Sequence, residues 1–290
     1  MDRIRGLAPW LWVAPSAVPL LLIGVVPVAL LFYISATSFE IGYPWSDRTF
    51  VGLANYQRLF SGREVEFWPA LRLSLVVAAI SVVLKFLLGL AVAVLLHRPL
   101  RFEYFIVALL ILPMAVNPAI AGLMWKLMFS FDFGIINVLV EQWTGAKIVW
   151  LSHRYALFSV MVVLVWMHFP LSALMLLAGL RNIEREPLEA ARLDGCSSWQ
   201  VFWHIVLPQL KPVIISSSIF QAILAFQVFG PIYAMTDGGP GHATATLPIY
   251  VYKTAFGIGA MGLAAAAAVV LVIITMALSA ALMASERSEK

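Results

Sequence analysis

A chain of 290 residues that is 62% hydrophobic and only 12% charged has too little charge to cover a soluble domain of its size. Its length therefore counts membrane spans, and its net charge of +4 fits basic loops on one membrane face better than a nucleic-acid partner. The single cysteine, Cys196, excludes an intrachain disulfide and makes redox chemistry a poor fit.

Six apolar runs are long enough to cross ~30 Å of hydrocarbon as helices. They lie near 11–34, 71–96, 104–128, 155–180, 213–235 and 258–283. The pattern predicts an all-α integral membrane protein with one transmembrane domain over 1–290. The basic start "MDRIRGLAPWLW" precedes an apolar run too long for an ordinary signal peptide and without a convincing cleavage site, so it counts as a real span. Pro113, Pro118 and Pro231 should interrupt or end the third and fifth spans. Prolines inside spans are tolerated where neighbours satisfy the freed carbonyls.

Arg3, Arg5, Arg98, Arg101, Arg181, Arg185, Arg192, Lys211, Arg287 and Lys290 collect on one side of these spans. The other side holds fewer cations, among them Arg48, Arg58, Arg63 and Lys147. The richer side is expected to be cytoplasmic, with both termini. Ala264–Ala268, in the last span, suits close helix approach.

Residues 184–210 break the apolar monotony. "REPLEAARLDG" predicts a short helix with Pro187 in its first turn, acids at its positive end and Gly195 as a left-handed stop. "CSSWQVFWHIVLP" predicts a second helix, capped by Ser197 with Gln200 three residues on, and ended by Pro208. Val201, Phe202, Ile205 and Val206 form its apolar stripe. Such a hairpin either lies in the bilayer interface or docks in a partner's groove. The compact polar turn favours the partner.

The spans contain no Asp or Glu, which disfavours proton or sodium coupling. The chain also lacks the GxxxxGK[ST] loop that cradles ATP phosphates, so energy must come from a separate subunit. His97, His153, His168, His204 and His242 are scattered without metal-ligand spacing, which disfavours a membrane enzyme. Polar groups that could meet a solute inside the membrane are few. His168 lies halfway along the fourth span beside Pro170. Gln221, Ala225 and Val228 share one face of the fifth, Gln227 points to another, and Asn117 precedes Pro118 in the third. Each is also placed to bridge helices. Lys85, in the second span, is expected to snorkel or to meet a helix-end carbonyl. Lys126 and the tryptophans Trp10, Trp12, Trp68, Trp125 and Trp150 fit interface positions. The segment Thr236–Thr246, "TDGGPGHATAT", reads as a reversing loop at the outer mouth.

Glu189-Ala190-Ala191, then Asp194-Gly195, then Ile205, Leu207 and Pro208 resemble the "EAA" signature of bacterial ABC importer permeases. "FVGLANYQRLF", "WMHFP" and "IYAMTDGGPGHATATLPIYVYKTAF" resemble the carbohydrate branch, of the maltose and glycerol-phosphate type. The resemblance covers nearly the whole chain. Cys196 stands where relatives usually carry alanine. The resemblance implies the type I importer fold in a bacterial inner membrane, with the hairpin as a coupling helix seated in a cytoplasmic ATPase dimer. It implies no cofactor on this chain, with ATP and Mg on the ATPase. It further implies a second homologous permease and an extracytoplasmic solute-binding protein that delivers a sugar, polyol or sugar conjugate. Sugar-contacting positions of the maltose type fall on Leu164, Met167, His168, Leu171, Gln221, Ala225 and Val228, where the side chains differ from that type. A passive channel or facilitator, working without ATP, and a permease for a non-sugar solute remain the alternatives.

Overall fold

A computed structural model describes the backbone of residues 2–98 and 101–287, and the side chains of 21–98 and 101–284 with Pro15 and Pro19. The side chains of Arg3, Arg5, Trp10, Trp12, Arg287 and Lys290 lie outside the described residues. The described chain is helical, with one isolated bridge between Thr37 and Phe50. It folds as two compact units, Met1–Trp68 with Tyr250–Val272, and Pro69–Ile249 with Ile273–Lys290.

In the first unit, α1 (Asp2–Ser35) carries the first apolar run. Leu21, Ile23 and Val25 stay exposed along it, as lipid-facing side chains must. The short α2 (Ala54–Phe60) lies in "FVGLANYQRLF" and locks the end of α1. Asn55 donates through Nδ2 to the carbonyls of Ser35 and Thr37 at 2.9 and 2.8 Å, and the Tyr56 and Ser35 hydroxyls meet at 2.7 Å. These bonds satisfy carbonyls that a helix end leaves open. In the same unit Gly262 N–H donates to Phe39 O at 2.9 Å, so close that a Cβ there would lie 2.1 Å from Thr37 O. The predicted small-residue surface begins just beyond, where Ala264–Ala267 are buried.

The second unit is built around one helix. After α3 (Phe67–Leu96), α4 (Glu103–Ala115), α5 (Pro118–Met128) and α6 (Ile135–Thr144) comes α7 (Ala156–Arg181), whose interior is the most enclosed of the spans. Its N-terminal half packs Val160, Val163, Leu164 and Met167 into a cluster with Ala121, Val228 and Ile232. Its C-terminal half packs Leu176, Leu177 and Leu180 with Ala93, Leu96 and Leu210. Between spans such packing is held by van der Waals contact rather than by removal of apolar surface from water, because lipid tails are as apolar as these side chains. Gly89 of α3 lies so close to α7 that a Cβ would come within 2.8 Å of Ser172 Cβ.

The third span is broken where the prolines foretold. α4 and α5 meet at a 96° bend, and Pro113 stays inside α4. The break falls at Val116–Asn117, because the residue before Pro118 is driven to extended backbone.

The fifth span corrects two expectations. Pro208 does not end a helix. The short α8 (Arg185–Leu193) and α9 (Ser198–Val201) form the hairpin, and α9 runs on as one rod from Ser198 to Phe226, of which α10 is Leu207–Phe226. A π turn over Phe202–Val206 sits just before Pro208. A widened turn gives room for a proline ring that would otherwise clash with a preceding carbonyl. At the other end the rod stops at Phe226, nine residues before the expected 235. After Gln227–Phe229 the short α11 (Gly230–Thr236) begins, with Pro231 opening it rather than ending a span. Val228 therefore lies beyond the helical face shared by Gln221 and Ala225. α12 (Leu247–Tyr252) and α13 (Met261–Arg287) complete the chain.

Candidate functional site

The hairpin forms as its chemistry dictates. Gly195 adopts φ +76. The Cys196 N–H bonds to Ala191 O at 3.0 Å and the Gly195 N–H to Arg192 O at 3.2 Å, the paired bonds of a Schellman stop. Ser197 and Gln200 make the reciprocal capping box. The turn is rigid, yet its outer surface is bare. Glu189, Ala190, Asp194 and Cys196 are exposed, and nothing lies within 4 Å of where a Gly195 side chain would start. Leu193 is 89% and Trp199 69% exposed, a large apolar area for so short a segment. Ala191 is buried and Ile205 and Leu207 half-buried, so these hold the hairpin to its own unit, while Pro208 is exposed. Glu189 and Asp194 form no ion pair with Arg192 among the described residues.

The mid-membrane residues divide into packed and open groups. Leu164, Met167, Ala225 and Val228 are 0, 2, 5 and 8% exposed and belong to the interior of their own unit. Gln221, 1% exposed, bridges helices: its Nε2 donates to His168 O and Ser172 Oγ, both at 3.0 Å. Its Oε1 is buried and meets no donor among the described residues. His168 is half-buried, with Nδ1 donating to Leu164 O at 3.1 Å, and Leu171 is half-buried beside it. Asn117 caps α5, accepting from Ala119 N and Ile120 N, and Gln227 caps the end of α10. Both are exposed.

Asn117 and Gln227 stand at the two helix breaks, and those breaks adjoin. A Cβ on Gly230 would lie 3.2 Å from Ala119 N, and one on Gly122 would lie 2.9 Å from Pro231 Cα. Further along, Lys126 Nζ donates to Ala234 O at 3.4 Å, so α5 and α11 run side by side in parallel. Sequence inspection found the prolines but not this pairing; the matching Pro-and-glycine sets on both segments were its signal. It also missed Ser172, four residues from His168 on the same face. Asn137 left no signal at all. It is 1% exposed and ties the loop between α6 and α7 through Ile148 N and O and Trp150 Nε1 at 2.9–3.0 Å.

Lys85 departs from expectation. It neither snorkels nor meets a helix-end carbonyl; it is 1% exposed and has no hydrogen-bond or ion-pair partner among the described residues. The loop Thr236–Thr246 is tightly tied: Thr236 and Thr244 hydroxyls meet at 2.7 Å, and Thr244 Oγ1 donates to Gly239 O at 3.0 Å.

Apolar membrane-crossing helices, two broken at one level, and a bare hairpin define a transport subunit of a multi-pass membrane protein. The chain belongs to the binding-protein-dependent transport system inner membrane component family, whose model matches residues 85–287. It is 36% identical over 282 residues to the probable ABC transporter permease protein y4oQ of Sinorhizobium fredii, covering 97% of this chain and 90% of that one. It is 34% identical to the trehalose/maltose transport system permease protein MalF of Thermococcus litoralis, over 84% and 82% of the two chains. It is equally 34% identical to the sulfoquinovosyl glycerol transport system permease protein SmoG of Agrobacterium fabrum, over 87% and 80%. The fold matches a chain of a bacterial ABC transporter that imports the acidic polysaccharide alginate, with a TM-score of 0.81 at 18% identity over 100% and 98% of the chains. The fold is thus that of the ABC importer permeases, and the family is one of transport, not catalysis.

Proposed function

We propose that this chain is one of two homologous permeases in an ATP-driven, binding-protein-dependent importer for a sugar, polyol or sugar conjugate. The observation that carries this is the rigid hairpin with its bare outer face, continuous with a membrane rod. A segment so well ordered and so exposed suits a groove in another protein better than lipid. The proposed socket is a cytoplasmic ATPase dimer, which holds ATP and Mg; this chain holds neither. Glu189, Ala190, Asp194 and Gly195 sit in the socket, while Ala191, Ile205 and Leu207 fix the hairpin to its own unit and Pro208 lies in the rod behind it. Closure of the ATPases pushes the rod and switches access from one face to the other. This orientation puts both termini in the cytoplasm of a bacterium and the Thr236–Thr246 loop outside, facing a solute-binding protein. Membrane lipid covers the rest of the apolar surface.

The sugar reading rests on relatives whose names specify trehalose/maltose and sulfoquinovosyl glycerol. In this chain the solute meets His168 and Leu171, with Asn117 and Gln227 at the helix breaks. Irregular backbone at membrane depth is tolerated where it lines a cavity. Leu164, Met167, Gln221, Ala225 and Val228 shape the wall behind them.

The single exposed cysteine supplies the experiment. In the purified complex, a thiol crosslinker at Cys196 should capture the ATPase subunit, and the ATPase should fall when the adduct forms. Crosslinks to lipid alone would remove the hairpin's coupling role.

A further inference from the structure

We infer that Lys85 is an anchor for an anionic group, a carboxylate or sulfonate, on the transported solute. The inference deepens the importer reading and rests on it. Among the cations within the spans, Arg72 and Lys126 lie near outer ends. Lys85 lies eleven residues from Leu96, about three turns from the nearer end of α3. A charge at that depth is costly and is by default a functional feature. The usual compensation is a carboxylate partner, and the spans contain none. Among the described residues Lys85 also finds no hydrogen-bond acceptor, although it is 1% exposed. An uncompensated ammonium weakens the fold, because burying a charge is costly unless a partner offsets it.

Its position follows from helix geometry. Gly89 lies against Ser172 across α3 and α7, and both helices run in the same direction, since Val77 clusters with Val160 and Leu164 at one end and Leu96 with Leu176 and Leu180 at the other. Four residues back on the same faces, Lys85 comes level with His168. Gln221 arrives from α10, its Nε2 spent on His168 O and Ser172 Oγ and its Oε1 left without a donor. One place thus holds a cation and a buried acceptor, each without a partner among the described residues, beside a half-buried imidazole; the acceptor suits a sugar hydroxyl. A solute with an acidic group and hydroxyls satisfies both orphans; a neutral sugar satisfies only one.

The test uses the complete transporter with its binding protein in proteoliposomes. The probes are a uronic-acid oligosaccharide and its carboxyl-reduced, neutral counterpart. Expected is uptake of the acidic probe with a preference over the neutral one. Lys85→Met should weaken the acidic response by about thirtyfold or more, as for loss of one partner of a buried charge pair. Lys85→Arg should keep much of it, and neutral uptake should not change. A wild-type complex that takes up the neutral probe equally well, or a Lys85→Met variant with unchanged preference, overturns the inference while leaving the importer reading intact. If Lys85→Met fails to assemble, the wild-type complex decides alone: the acidic probe must raise its Tm and the neutral one must not, and equal shifts overturn the inference. A complex that responds to neither probe overturns the carbohydrate reading and this inference together.

Discussion

Gly195 and Gly122 serve the same unit for opposite physical reasons. Gly195 has φ +76 and open space around it, so it is needed for a backbone conformation that side chains resist. Gly122 sits in an ordinary helix, but a Cβ would strike Pro231 Cα and O at 2.9 Å. The hairpin is fixed by local bonds and leaves its surface unoccupied. The α5–α11 pair is fixed by contact and leaves no room. The difference separates a segment whose surface is left open, as the proposed docking requires, from one shaped for its own neighbour.

Substitutions can break this contrast. Gly122→Val should be the most damaging, costing about 1–3 kcal/mol by overpacking, read as a lower Tm and lower membrane yield of the complex. Backbone atoms cannot turn aside as a flexible side chain can. Gly195→Trp meets no clash, and its left-handed backbone costs about 1–2 kcal/mol. Yield should hold while uptake per ATP hydrolysed collapses; normal coupled uptake would defeat the proposed docking. Asn117→Ala removes the cap of α5 and should cost about 1 kcal/mol, lowering Tm without changing ATPase docking. Gln221→Leu is the mildest, about 0.6 kcal/mol, as for interhelical hydrogen bonds in membranes. The loss of its two bonds is offset by removal of the orphaned Oε1, so a large fall in Tm would show that the bridge matters more than its geometry implies.

The hairpin was legible because its signals are local. Gly195, Ser197 and Gln200 act on backbone groups within a few residues, so sequence order alone reveals them. The break before Pro118 was legible for the same reason. Pro208 misled because a proline's effect depends on the turn in front of it, and Phe202–Val206 widened into a π turn that no residue pattern announced. The polar residues of the spans were found, but their partners were not. Gln221 and Ser172 lie 49 residues apart, and only packing brings them together. Lys85 was misplaced because snorkelling is a rule for side chains near a helix end, whereas this one is turned into its own unit.

The rod from Ser198 to Phe226 gives this packing a mechanical sense. Its 29 residues span about 43 Å at helical rise, continuous through the π turn from the surface tryptophan Trp199 to the break at Gln227. A tilt imposed at the tip reaches the joint as a sideways stroke rather than being lost in a flexible loop. On the way it passes Gln221, so any stroke must also tug the carbonyl of His168 and the hydroxyl of Ser172.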